Sequence, residues 1–345
     1  MMKEDKTAQQ IPAEKFKPVA RKDSDEIEKI VGTSLTYVQD SWRRLKKNKI
    51  AMLSLILLLL IVLLAIFAPF FAPYHYAQQN PRFANLPPKI PGLEGVSLFN
   101  GMGRVGGNLV DRYAAANVPS DQYYYLGTDA LGRDLLSRII YGTRISIFIG
   151  VFAASFNLLI GVPYGLISGW KGGKVDNIMM RFLEVLSGVP NLVVVILLLL
   201  VLEPGLISII IALGLTEWIA MARVVRAQTL RLKKQEYILA AQSLGEAPLK
   251  IALKHLIPNM SGVIIIQTIY SIPSAIFFEA FLSFIGLGVP APNASLGTLI
   301  NDGYSTFQFL PHLMWYPAAM ISLILIAFNM FANGLRDALD PRTLD

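Results

Sequence analysis

Long apolar blocks separated by polar segments make up most of this chain. A helix needs about 20 mainly apolar residues to cross a bilayer. Six blocks approach or exceed that length, at about residues 50–72, 145–168, 178–202, 205–222, 259–284 and 313–333. The pattern therefore predicts an all-α membrane protein with about six transmembrane helices. We expect a kink or break at Pro163, Pro190 and Pro273, because proline removes a backbone hydrogen bond from a helix.

The segment before the first apolar block has a different pattern. Leu35, Val38, Trp42 and Leu45 recur at helical spacing, with basic residues between them. This spacing predicts an amphipathic helix lying on the inner surface of the bilayer. The N-terminal half of the chain then divides into a disordered cytoplasmic tail, an elbow helix with the first span, and an irregular extracytoplasmic loop, at residues 1–33, 34–72 and 73–143.

Lysine and arginine counts in the short links predict the orientation of the spans. Basic residues collect before the first span, between the second and third, and between the fourth and fifth, whereas the links 203–205 and 288–311 contain none. Because basic links stay in the cytoplasm, we expect both termini to be cytoplasmic. Arg133, Arg138 and Arg144 lie on the opposite side, in a long loop where this rule is weak.

Composition narrows the possible chemistry. The chain has 345 residues, a net charge of +7, and 16% charged residues, against about 25% in soluble proteins. The cations adjoin the apolar blocks, which favours contact with membrane lipid and no binding of nucleic acid. With no cysteine and three histidines, we expect no metal site. No nucleophile lies beside a base, so we expect no catalytic residue and no enzyme activity.

Two glycine-rich stretches imitate nucleotide-binding motifs. Gly172-Gly173-Lys174 is followed by Val175 where a phosphate-binding loop needs serine or threonine. The stretch from Gly101 to Gly106 matches a dinucleotide fingerprint but lies in a loop with no predicted strand before it. We therefore expect this chain to bind no cofactor itself.

A charged segment between the fourth and fifth spans carries the most specific signal. Tyr237, Ala240, Ala241 and Leu244 are spaced to share one helix face, and Gly245 follows where a helix commonly ends. Two alanines make that face flat enough for close approach by a protein. The alternative is a helix that rests on lipid, although such helices usually present bulky apolar residues.

This segment resembles the cytoplasmic loop signature of ABC importer permeases. Ala240 and Ala241 match its two alanines, Gly245 its glycine and Pro258 its closing proline. Leu239 stands where the family usually has glutamate, and Glu236 lies one turn earlier.

Further blocks resemble the oligopeptide and dipeptide permeases within that family. They include the run Leu126–Arg144, the run Glu279–Gly288 and the run Gly334–Pro341. With the cytoplasmic loop, the resemblance extends from about Trp42 to Arg342.

The resemblance implies a type I ABC importer permease fold, with a core at 144–335, a coupling loop at 223–258 and a cytoplasmic C-terminus at 336–345. It implies import of peptides across the cytoplasmic membrane. The partners would be a second permease subunit, two subunits that bind ATP and Mg, and an extracytoplasmic peptide-binding protein. The residues expected to couple to the ATPase are Glu236, Tyr237, Ala240, Ala241, Leu244 and Gly245. The alternatives are import of nickel, glutathione or another small solute, and a secondary transporter driven by an ion gradient.

Several ionisable residues lie in or beside the predicted spans. Glu279 is expected near the outer end of the fifth span, as an outer gate, as a contact for a peptide amino group, or as an interfacial carboxylate that reaches water. Glu217 is interpreted as packing. Asp129, Arg133 and Asp134 are interpreted as a local network without a chemical role.

Overall fold

Helices account for most of the part of the chain described by the computed structural model, residues 37–339. The predicted tail at 1–33, Leu35 of the elbow helix and the last residues of the predicted C-terminal segment lie outside this range. The main helices are α1 (Tyr37–Lys47), α2 (Lys49–Ile66), α5 (Leu135–Phe156), α6 (Val162–Lys171), α7 (Gly173–Ser187), α8 (Asn191–Leu202), α9 (Leu206–Leu232), α10 (Glu236–Ser243), α12 (Ile257–Phe284), α13 (Leu296–Tyr304) and α14 (His312–Leu339). The short helices are α3 (Ala68–Phe71), α4 (Arg112–Ala115) and α11 (Pro248–Ile251).

Among residues 37–339, five continuous helical stretches are long and apolar enough to cross a membrane. They are Lys49–Ile66, Leu135–Lys171, Leu206–Leu232, Pro248–Phe284 and His312–Leu339. Two of them contain a π-helical turn, at Asn157–Gly161 between α5 and α6 and at Ala252–Leu256 between α11 and α12. The bent pair α7 and α8 brings the number of candidate spans to six.

The predicted third span is not one straight helix. α7 and α8 meet at 78° across a break at 188–190. The Gly188 N–H bonds back to the carbonyls of Glu184 and Val185, which ends α7. Pro190 has no N–H to continue the ladder, and its carbonyl instead begins α8 by accepting from Val193. The break expected at Pro190 is therefore confirmed, as a sharp bend.

The break expected at Pro273 is wrong. α12 passes through Pro273 without interruption and ends only at Phe284. Neighbouring residues Ile276 and Ala275 are completely or almost completely buried against other helices. Such packing tolerates proline in membrane helices, because surrounding helices hold the segment in place.

The predicted second span begins too late, and the predicted loop at 73–143 ends too late. Helix α5 starts at Leu135 and includes Arg138, whose side chain is only 3% exposed. Its Nη1 lies 2.6 Å from Asp129 Oδ2, so the positive charge in the first turn of α5 is neutralised by an ion pair. Similarly, α9 continues to Leu232 and α14 to Leu339, beyond the apolar blocks that predicted them.

The long loop between α3 and α5 is folded, which corrects the prediction of an irregular loop, and it adds one small hairpin to an otherwise helical membrane fold. Strands β1 (Met102–Val105) and β2 (Asn108–Asp111) form an antiparallel hairpin. The two linking residues, Gly106 and Gly107, have φ of 58° and 88°, as a two-residue hairpin turn requires. Phe83, Leu86, Tyr113 and Tyr124 form a small buried cluster beside it.

A row of glycines brings α6 against α9. A Cβ at Gly161 would lie 2.7 Å from Met221 Cβ, and one at Gly165 would lie 2.5 Å from the Ala222 carbonyl oxygen. One at Gly169 would lie 2.7 Å from Thr229 Cβ. Small residues at every fourth position let helix backbones approach closely in membranes. These two helices consequently pack as one unit.

Candidate functional site

Helix α10 is attached to the rest of the chain by one of its faces. Ile238 is fully buried and Ala241 is 8% exposed, and both pack in a cluster with Ile251 and Leu256. Ile238 and Ala241 are three positions apart and therefore point in a similar direction from the helix. Ala241 thus serves as an inward contact of α10, which differs from the predicted shared face with Ala240.

The other face of α10 is open. Tyr237 is 42% exposed, Leu244 is 88% exposed, and Ala240 and Glu236 are also exposed. The predicted apolar stripe therefore divides between an outward face and an anchoring face. The sequence spacing could not separate them, because neither alanine reveals whether it packs inward or outward.

The end of α10 has the geometry expected at Gly245. Its φ of 77° is in the left-handed region that glycine adopts without a steric penalty. The Glu246 N–H donates to the Ala241 carbonyl at 3.1 Å and the Gly245 N–H donates to the Gln242 carbonyl at 3.0 Å. This arrangement caps the helix and turns the chain towards α11.

An open depression of about 760 Å³ lies beside α10. Tyr237, Ala240, Ala241, Leu244 and Gly245 line one part of it, and Glu246, Lys250 and His255 line another. Glu246 lies 3.2 Å from Lys250 Nζ and 3.0 Å from His255 Nε2. The hydrogen bond from Lys250 is the main cause of a lowered pKa for the Glu246 carboxyl. The surface is apolar at α10 and charged at its margin.

Polar contacts connect this region to the spans. Asp176 of α7 accepts hydrogen bonds from Arg226 of α9 at 2.5 and 2.6 Å and from Ser168 of α6 at 2.5 Å. Lys233, directly after α9, donates to the Trp170 carbonyl. Because α10 follows α9 after a turn of three residues, these contacts connect α10 to α6, α7 and α9.

Glu279 lies in a closed polar site, not on an exposed surface. Its side chain is completely buried, with Ser146 Oγ 2.9 Å and Ser283 Oγ 2.7 Å from its two carboxylate oxygens. Ser295, at the start of α13, bonds to Ser283 at 3.2 Å. The Leu296 N–H bonds to Ser146. The expectation that Glu279 is an interfacial carboxylate that reaches water is not met in this structure, because α5, α12 and α13 enclose it.

Glu217 belongs to a second cavity, which the sequence analysis missed. The cavity of about 510 Å³ lies at the α7–α8 break, and its lining includes Ser187, Pro190, Asn191, Glu217 and Arg223. Asn191 Nδ2 donates to Glu217 Oε1 at 2.8 Å. A helix-breaking proline and an intramembrane carboxylate were both visible in the sequence. The break at Pro190 was also predicted, but not that the bend places Asn191 beside Glu217.

The network expected around Asp129 is confirmed. Asp129 Oδ2 lies 2.6 Å from both Arg133 Nε and Arg138 Nη1, and Asp302 lies 3.2 Å from Arg138. Asp134 caps α5 by accepting from the Ser137 N–H at 2.7 Å and its hydroxyl at 2.6 Å. Burial raises the pKa of the Asp134 carboxyl to about 6 against the opposing effect of these bonds. Within 37–339, no group of three or more metal-ligating side chains could hold a metal ion.

Two family models cover the greater part of the chain. Residues 161–345 match the model described as "Binding-protein-dependent transport system inner membrane component". Residues 36–88 match the "N-terminal TM domain of oligopeptide transport permease C". The chain belongs to this family of transport permeases. It is therefore a multi-pass membrane component of an ABC importer, as the resemblance predicted.

Relatives agree over nearly the full length. The chain is 46% identical to the dipeptide transport system permease protein DppC of Lactococcus lactis, over 95% of this chain and 97% of the relative. It is 44% identical to the oligopeptide transport system permease protein OppC of Bacillus subtilis, over 97% and 99%. The inward-facing methionine ABC transporter MetNI matches 60% of this chain and 98% of its own, with 15% identity and a TM-score of 0.50. This last likeness supports the type I permease fold alone.

Proposed function

We propose that this permease imports peptides into the cell with energy from ATP hydrolysed in separate subunits. The dipeptide and oligopeptide permeases that cover nearly all of the chain support the choice of substrate. The observation that carries the mechanism is the open, small-residue surface of α10, which is anchored to the spans by its opposite face.

The proposed partners follow from the permease family to which the chain belongs. Two ATP-binding subunits, which hold ATP and Mg, serve the importer, and one of them contacts this chain at Glu236, Tyr237, Ala240, Leu244 and Gly245. Ala241 belongs to the opposite face of α10, and it holds the helix in place as part of the buried cluster that includes Ile251 and Leu256. A second permease subunit completes the pathway, and an extracytoplasmic peptide-binding protein delivers the cargo. Both termini then lie in the cytoplasm, and the folded loop lies outside.

In this mechanism the chain transmits force and performs no chemistry. Closure of the ATPase pair displaces α10. The close glycine contacts between α6 and α9 and the ion pair between Asp176 and Arg226 make these helices follow together. Rocking of such a unit changes which side of the membrane the cavity opens to.

The test is uptake by vesicles that contain the complete complex. We expect peptide uptake to require ATP and to continue when an uncoupler abolishes the ion gradient. Uptake that collapses with the uncoupler and needs no ATP would identify a gradient-driven transporter. ATP-dependent uptake of nickel or glutathione without peptide uptake would correct the substrate.

The α10 contact has its own test. Leu244→Arg places a charge on a residue of the proposed surface that is 88% exposed, and we expect it to abolish ATPase binding and uptake. Leu249 is 71% exposed and does not line the depression, so Leu249→Arg is the matched control. Normal subunit assembly by Leu244→Arg would refute the coupling role of α10.

A further inference from the structure

The cavity at the α7–α8 break contains an anionic group inside a span. Glu217 lies eleven residues after Leu206, or about 16 Å along α9 at about 1.5 Å per residue. The apolar block of this span ends at about residue 222, so Glu217 lies within the span, nearer the end that leads to α10. The bend between α7 and α8 opens the space in front of it.

The carboxylate of Glu217 has no ionic partner in the described part of the chain. Its side-chain bond is to the neutral Asn191 amide, and no cation among residues 37–339 lies within the 4.0 Å salt-bridge distance. Arg223 also lines the cavity, but its Nη2 donates to Ser187 Oγ at 2.7 Å. The Glu217 carboxylate is therefore a partly buried acceptor in the cavity without a cationic side chain beside it in the described part of the chain.

The position of Glu217 inside a span favours a cationic ligand. A charged side chain within a bilayer is unfavourable, so such residues face cavities or partners. The C-terminal end of α7 and the N-terminal end of α8 both border the cavity at Ser187 and Asn191, so their opposite dipole charges offset each other and the Glu217 carboxylate determines the charge of the site. Ends of broken helices form ion and substrate sites in other transporters.

The other residues that line the cavity indicate which kind of ligand it fits. Val189, Val194, Leu198 and Leu215 make most of the wall apolar. One carboxylate and one amide are too few oxygen ligands for Ca²⁺, which takes six to eight. The cavity volume of about 510 Å³ is in the range of small-molecule sites. An organic ammonium attached to an apolar body fits this combination better than a bare metal cation.

We propose that Glu217 and Asn191 bind the N-terminal ammonium group of the transported peptide during its passage. This proposal rests on the proposed peptide transport function. The Glu217 carboxylate accepts from the ammonium, and Asn191 fixes the carboxylate through its amide. The apolar wall accommodates peptide side chains without selecting among them.

The absence of cysteine from the natural chain permits a direct occupancy measurement. Ala220 is exposed and lines the cavity, so Ala220→Cys introduces one thiol there. Labelling by a water-soluble thiol reagent is measured in the full complex, made with cysteine-free partners, with and without peptide and ATP. We expect the peptide to slow labelling several-fold. Val201→Cys is the control, because Val201 is 80% exposed and lies outside the cavity.

The role of the carboxylate is tested in the same background. Glu217→Gln should abolish protection by the peptide and raise the half-saturating peptide concentration for uptake by about tenfold or more, because bonds to charged groups are strong. Glu217→Asp should restore much of both.

Three results would overturn the proposal. The first is that the peptide protects the thiol equally well in Glu217→Gln, and the second is that the uptake kinetics of Glu217→Gln are unchanged. The third is a thiol at position 220 that does not react with or without peptide, because a partner subunit then fills the cavity. Failure of the proposed function is recognised separately, since the wild-type complex would then show no ATP-dependent peptide uptake.

Discussion

Arg226 holds Asp176 with two parallel hydrogen bonds, from Nε to Oδ1 at 2.5 Å and from Nη2 to Oδ2 at 2.6 Å. A guanidinium and a carboxylate in this arrangement form one of the strongest side-chain contacts available to a protein. The contact joins α9, which leads into α10, to the first half of the bent pair.

Asp176→Asn should destabilise the protein, because one oxygen and the negative charge that Arg226 requires are lost. We expect a decrease of about 1–2 kcal/mol, since the pair is only partly buried, measured by thermal unfolding in detergent. Arg181→Gln is the control: its pair with Glu184 is solvent-exposed and should contribute at most about 1 kcal/mol. Equal effects of the two changes would contradict the proposed link.

Gly165→Val should disrupt packing between α6 and α9. Even a Cβ at this position would lie 2.5 Å from the Ala222 carbonyl oxygen, and overpacking typically costs about 1–3 kcal/mol. We expect lower thermal stability and a loss of coupling between ATP hydrolysis and uptake. A Cβ at Gly95 has no neighbour within 4 Å, so Gly95→Val should leave both unchanged. Wild-type stability of Gly165→Val would refute the close contact.

Asp134 should give the protein a specific pH dependence. Its folded-state pKa of about 6 is above the ordinary value of 3.8, so folding favours the protonated form. The contribution of protonated Asp134 to the free energy of unfolding is complete below pH 3.8 and is lost as the pH rises through about 6. The full shift corresponds to up to about 3 kcal/mol at about 1.36 kcal/mol per pKa unit.

The measurement is the difference in unfolding temperature between wild type and Asp134→Asn from about pH 4 to about pH 7. The variant cannot ionise, so we expect its stability relative to wild type to increase across this range. Asp121 is exposed, and Asp121→Asn should show no such trend. A difference that does not depend on pH would mean that Asp134 does not titrate in this window.

Glu279 should act on stability and not on substrate recognition. Glu279→Ala leaves Ser146 and Ser283 without their acceptor in a closed site and creates a cavity, so we expect a loss of about 2–4 kcal/mol. Glu279→Gln can still bond to both hydroxyls and should be milder. Both the unfolding temperature and the half-saturating peptide concentration should be measured. A changed uptake constant with unchanged stability would return Glu279 to the transport pathway.

The number of spans and the capping role of Gly245 could be predicted, because each depends on local composition and backbone chemistry. The start of α5 could not be predicted in this way, because the charge of Arg138 is tolerated inside the helix through its ion pair with Asp129. The break at Pro190 could be predicted, but the angle of 78° between α7 and α8 could not, because a proline predicts an interruption of the helix and not its angle. The inward position of Ala241 depends on Ile251, ten residues further along the chain.

One hydrogen bond joins the folded loop directly to a span. The Tyr74 N–H donates to Ser137 Oγ in the first turn of α5 at 3.1 Å. Within the loop, the Asn80 N–H donates to the Leu131 carbonyl at 3.1 Å and the Asn85 N–H donates to the Asp129 carbonyl at 3.0 Å. These bonds attach the loop to the segment that leads into α5. If an extracytoplasmic binding protein docks on the loop as proposed, its contact would reach a spanning helix through no flexible linker.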